Sequence, residues 1–106
     1  MLQIDVPNSQ IIDIRVPSEW YETGVIEGSV LITYEMASGN INPLFVMKVE
    51  QKFSKDDKIV LICHSGVRSR SAIDLLKANG FKNVKDIPGG IYNYTRLGGK
   101  LVKYEG

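Results

Sequence analysis

The sequence predicts an α/β domain: a central parallel β-sheet flanked by helices on both faces. Short apolar runs alternate with segments of helical periodicity. One run, "KIVLIC" at 58–63, is continuously apolar and rich in β-branched residues, the pattern of a strand covered on both sides, as parallel strands usually are. Glycine or proline stands at most of the transitions between the two kinds of segment. A chain of 106 residues can bury one modest core but not two, so residues 1–106 are expected to form one domain.

Taken in order, "QIIDIR" at 10–15 predicts a short strand, and "VPSEWYETG" a helical turn opened by Pro17 and closed by Gly24. "SVLIT" predicts a second strand behind Gly28. In "NPLFVMKVEQKF", Phe45, Val49 and Phe53 recur every four residues behind the start signal Asn42-Pro43, which predicts a helix with one apolar face. "KIVLIC" follows the polar turn "SKDDK". Next, "SRSAIDLLKANG" carries an apolar stripe of Ala72, Ile73, Leu75 and Leu76, with Gly80 as its stop. "FKNVKDI" is a weaker strand signal, "PGG" a turn, and "IYNYTRL" a last helix ended by Gly98 and Gly99.

Composition narrows the partners. Apolar residues make up 43% and charged residues 24%, which places the chain among ordinary globular proteins rather than disordered or disulfide-stapled ones. A net charge of +1 gives no reason to expect nucleic acid or an anionic membrane. The charge is unevenly spread, however. Residues 1–58 carry 5 basic and 9 acidic side chains, and residues 59–106 carry 8 and 3, so an anion would favour the second half. One cysteine cannot form an internal disulfide, which suits a reducing compartment. The first residues lack both a basic start and a long apolar run, so no signal peptide is expected. No segment approaches the length of a membrane span, and the expected location is cytoplasmic.

The chemistry is expected in "CHSGVRS", where the only cysteine and the only histidine are neighbours. In parallel α/β sheets ligands bind beyond the carboxyl ends of the strands, and Cys63 ends the most buried strand just before a helix begins. Gly66 tolerates backbone angles closed to other residues. A loop of this kind can turn the N–H groups of His64, Ser65, Gly66, Val67, Arg68 and Ser69 inward as an anion-binding nest, with the positive end of the following helix behind it. An ordinary thiol, with a pKa of about 8.5, is only a few per cent ionised at neutral pH. A helix dipole supplies at most about 2 kcal/mol in favour of a thiolate, whereas each hydrogen bond to a charged group is worth about 1.5–3 kcal/mol. Two or three inward N–H groups would therefore dominate.

No partner base is required by such a nest. His64, adjacent to Cys63 in a tight turn, is poorly placed to point its ring at that sulfur and reads as a residue lining the mouth. It is not read as a metal ligand, because no second histidine or cysteine exists to complete a site. Arg68 and Arg70 could hold an anionic substrate above the loop or brace the loop from behind. The plainer alternatives are an inert cysteine at a strand end and arginines solvated at a helix start. Trp20 and the tyrosines of "YNYTRL" read as core and rim packing.

These residues resemble the single-domain rhodaneses, a family of sulfurtransferases. "CHSGVRS" fits the Cys-x-x-Gly-x-Arg-Ser active loop of its small bacterial members. "IIDIRVPSEWYETGVIEGS" is similar to the family's opening signature, and "GFKNVKDIPGGI" to its late Gly-Phe-x-Asn-Val and Gly-Gly pair. The resemblance spans about residues 10–94 and implies the parallel-sheet fold inferred above. It further implies a ping-pong cycle without cofactor or metal, in which Cys63 attacks the outer sulfur of a small anionic donor, thiosulfate or a polysulfide. The resulting persulfide yields its sulfur to cyanide, a thiol or a protein acceptor. The loop amides of His64 through Ser69 would hold the anion, Arg68 would be the loop's cation, and Asp13 and Arg15 would be structural. Val25, Thr33 and Ile91 depart from the histidine, proline and tryptophan usual at their positions.

Two rivals remain at this stage. A cysteine-dependent phosphatase or arsenate reductase places five residues between cysteine and arginine, and here only His64, Ser65, Gly66 and Val67 intervene, a smaller cradle. A non-catalytic binding or regulatory module of the same fold commonly loses the cysteine, which this chain keeps.

Overall fold

The structure, a computed structural model, describes residues 4–64 and 67–106, with Val67 described through its backbone alone. Ser65 and Gly66, whose N–H groups were expected to contribute to the anion nest, lie outside the described residues, as does the Val67 side chain. Four strands, β1 (Ile11–Asp13), β2 (Val30–Leu31), β3 (Lys58–Ile62) and β4 (Asn83–Asp86), form one parallel sheet in the order β2-β1-β3-β4. Among the described residues four α-helices, α1 (Pro17–Thr23), α2 (Phe45–Lys52), α3 (Val67–Ala78) and α4 (Gly90–Arg96), connect or follow them.

The alternation of side chains along a strand divides the core in two. Ile12, Ile14, Ile59, Leu61, Cys63 and Val84 face Phe45, Val49 and Phe53 from α2 and its end, and Ala72 and Leu76 from α3. On the other face Ile11, Val60 and Ile62 meet Ile26, Ile87 and Ile91, the last from α4. Pairing of Ile12 with Leu61 and of Ile59 with Val84 keeps each layer in step across the sheet. Helices therefore cover both faces, as the uninterrupted apolar run of β3 requires.

Several ends follow directly from side-chain and backbone chemistry. α3 stops in a glycine-dependent turn: Gly80 has φ +95°, its N–H donates to the Lys77 carbonyl at 3.0 Å, and the Phe81 N–H donates to Leu76 at 3.1 Å. Asn42 does not cap α2 itself. Its Oδ1 accepts the Leu44 N–H at 3.0 Å and its carbonyl accepts the Phe45 N–H at 3.1 Å, so the helix begins two residues later than the Pro43 signal suggests. β2 is shorter than "SVLIT", but the chain stays beside β1, since the Ile32 N–H donates to Asp13 and the Tyr34 N–H to Ile14.

The three departures from the family pattern find places in this packing. The Thr33 hydroxyl donates to the Arg15 carbonyl at 2.9 Å, a bond no proline could make. Val25 is buried and bridges Val102 in an isolated antiparallel pair. Ile91 fills the α4-side core. Among the described residues no helix is long and apolar enough to cross a membrane.

Candidate active site

Cys63 leaves β3 at its carboxyl end, as expected, and is 1% exposed against the α2/α3 layer. What fixes its main chain comes from the opposite direction. The turn Pro88-Gly89-Gly90 delivers the start of α4 onto residues 63 and 64, where the Ile91 N–H donates to the Cys63 carbonyl at 2.7 Å and the Tyr92 N–H to the His64 carbonyl at 3.2 Å. Amides at the start of a helix have no intrahelical acceptor, and here two of them find one in the exit from β3. So close an approach needs glycine. A Cβ on Gly90 would collide with the Cys63 carbonyl oxygen and lie 2.7 Å from both the carbonyl carbon and the oxygen of His64.

The other side of the mouth is governed by α1. Glu19, in its first turn, accepts the Val16 N–H at 3.2 Å, the backward half of a capping box; valine offers no side-chain acceptor for the forward half. Both Glu19 carboxylate oxygens also accept from Arg68 Nη2, at 3.1 and 3.2 Å, and Oε2 lies 3.6 Å from His64 Nδ1. Glu19 thus joins α1, the residue after Cys63, and the first turn of α3. His64 is largely exposed at this junction, while Arg70 is exposed on α3.

α1 is itself held by Asp13 and Arg15. The Arg15 guanidinium and the Asp13 carboxylate are both fully buried, 2.9 Å apart at their closest, with Arg15 Nε donating to both carboxylate oxygens at 3.0 and 3.2 Å. The remaining Arg15 donors reach the end of α1, with Nη1 on Thr23 Oγ1 at 2.7 Å and Nη2 on the Gly24 carbonyl at 2.9 Å. A cation at a helix carboxyl end satisfies orphan carbonyls and complements the dipole. The expected structural role is thereby specified: the pair anchors the far end of the helix whose near end carries Glu19.

Ser69 is fully buried and its hydroxyl donates to Asp86 Oδ2 at 2.6 Å, tying the first turn of α3 to the end of β4. Ser69→Ala is expected to cost about 1.5–3 kcal/mol, the range for a hydrogen bond to a charged group. Urea unfolding checks this: the midpoint should fall while the slope stays unchanged.

Sequence reasoning missed Glu19, Asp86 and the role of Gly90. Glu19 carried a local sign, an acid three residues behind a helix start, but nothing near it in the chain announced Arg68, 49 positions away. A groove of about 480 Å³ opens beside the entrance to α1, lined by Val16, Pro17, Trp20, Thr33, Met36 and Lys48 among others, and Cys63 is not part of its wall.

A parallel sheet with a cysteine at the carboxyl end of a central strand, and a helix beginning at Val67, defines an α/β domain whose family can be stated. The family model of the rhodanese-like domain matches residues 2–97, and the chain belongs to that family. A rhodanese-like domain from Anabaena sp. superposes with a TM-score of 0.76 at 21% identity, over 92% of this chain and 94% of that one. A rhodanese-related protein from Thermoplasma volcanium gives 0.66 at 26% identity, over 90% and 84%. Among curated proteins, the tRNA uridine(34) hydroxylase of Sodalis glossinidius is 36% identical over 93 residues, which is 87% of this chain. The chain spans about a quarter of the length of such relatives.

Proposed function

We propose that the chain is a sulfurtransferase carrying sulfane sulfur on Cys63. The observation that carries the reading is the position of Cys63 within a rhodanese-like domain: it stands at the carboxyl end of β3, with its carbonyl clamped by α4 and α3 beginning within a few residues. In the first half-reaction the Cys63 thiolate attacks the outer sulfur of thiosulfate. The donor's S–S bond breaks, sulfite leaves with the bonding electrons, and a persulfide remains. In the second, cyanide or a thiol attacks the outer sulfur of that persulfide, and the Cys63 thiolate is restored.

Burial has a consequence for this chemistry. A thiolate placed against hydrocarbon loses its water, and N–H donors must replace that solvation. The amides of His64 to Ser69 are the assigned donors in this reading, and Arg68 is held at the edge of the site by Glu19. A cysteine only 1% exposed is also reached more readily by a slender group ending in sulfur than by a bulky one.

Thiocyanate production from thiosulfate and cyanide tests the reading. The protein is expected to turn over, and Cys63→Ser to lose the activity by at least about a thousandfold, since removal of a nucleophile ordinarily costs that much or more. Equal production by Cys63→Ser would overturn it. The relatives' name brings a second reading, a role for this domain in tRNA uridine modification. Retarded migration of tRNA in the presence of the domain would favour that reading, against the expectation drawn from a net charge of +1.

A further inference from the structure

We infer that Glu19 sets the charge preference of the Cys63 site, holding Arg68 so that singly charged sulfane donors such as alkyl persulfides or thiosulfonates are favoured over dianionic thiosulfate. This rests on the sulfur-transfer reading and concerns which donor serves it.

Arg68 is the cation of the loop sequence, and its Nη2 is bound by both oxygens of Glu19. The side chains are 22% and 23% exposed, so the pair is partly shielded from solvent. Their charges cancel at the mouth. Asp86, beneath the first turn of α3, adds a negative charge, while Asp13 and Arg15 cancel one another in the interior. Arg70 stands exposed on α3, where water and salt weaken its pull. An incoming dianion must therefore compete with a carboxylate for Arg68 and approach that same carboxylate closely. A donor with one charge meets half of that repulsion. Transfer balances equally for either class: the Cys63 thiolate attacks the terminal sulfur of an alkyl persulfide or thiosulfonate, the donor's bond to that sulfur breaks, and a thiolate or sulfinate leaves with the electron pair.

Glu19 acts here through Arg68 and is a positioning residue, so the readout is a ratio between donors. Thiosulfate and methanethiosulfonate present the same outer sulfur on leaving groups of different charge. Their kcat/KM values, with cyanide as acceptor, are compared in the intact chain, Glu19→Gln, Arg68→Met and the double variant. Glu19→Gln is expected to raise the thiosulfate-to-methanethiosulfonate ratio by about fivefold or more, somewhat below the roughly tenfold low end of electrostatic steering because the two donors differ by a single charge. Arg68→Met, which leaves Glu19 uncompensated, should lower it, and the double variant should return near the starting ratio. A general loss of folding or activity would depress both donors together and could not produce shifts of opposite sign. Ratios that stay within about twofold in both single variants, or that move in the same direction, overturn the inference. Failure of both donors to react with the intact chain would instead overturn the sulfur-transfer reading itself.

Discussion

Arg15→Met is expected to destabilise the domain by about 3–5 kcal/mol, the cost of leaving one member of a buried ion pair without the other. Asp13 would remain fully buried with its guanidinium partner gone, keeping the Arg15 main-chain N–H at 3.1 Å as a donor to Oδ1. The end of α1 would lose two donors as well, those to Thr23 Oγ1 and the Gly24 carbonyl. At about 4–8 °C per kcal/mol for a domain of this size, thermal unfolding should move down by more than about 12 °C. Because α1 also presents Glu19 to Arg68, any folded fraction should lose part of its site geometry. A melting temperature within a few degrees of the parent would contradict the anchoring role.

Gly90→Ala is the second large effect, and it couples stability to the site. The position has φ +62°, where a side chain costs roughly 1–2 kcal/mol, and the added carbon would strike the main chain of Cys63 and His64 rather than a flexible side chain. Overpacking of that kind adds about 1–3 kcal/mol. The expected total is about 2–5 kcal/mol, with the rate of sulfur loading down at least about tenfold, because a shift of even an ångström at the reacting group is costly. Gly98→Ala separates the two contributions: its φ of +97° imposes the strain, but nothing lies within 4 Å of the added carbon. It should cost about 1–2 kcal/mol and leave loading unchanged. Equal loss of loading in both variants would contradict the clamp.

What the sequence disclosed depended on distance along the chain. Strand β3 and helix α3 were legible because their signals are local: a run of apolar residues too continuous for a half-exposed strand, then an apolar stripe ended by Gly80. The pairing of Asp13 with Arg15 was within local reach as well, since the two are only two residues apart, although β1 ends at Asp13 and Arg15 lies just beyond it. The contacts that shape the mouth join distant segments. Glu19 with Arg68, Ser69 with Asp86, and α4 with the exit from β3 bring together residues whose local sequences speak only of a helix start, a strand end and a turn. Gly90 read as part of a turn, and only the packed structure shows that its missing side chain makes room for the carbonyls of Cys63 and His64.

Cys63 is expected to accept and hold a sulfur atom, and intact-protein mass spectrometry followed by peptide mapping measures this directly. After brief exposure to thiosulfate or methanethiosulfonate and removal of the excess, the protein should be heavier by one sulfur, located on the peptide containing Cys63 and lost again on adding cyanide. An unchanged mass with both donors, or a sulfur carried equally by Cys63→Ser, would contradict it.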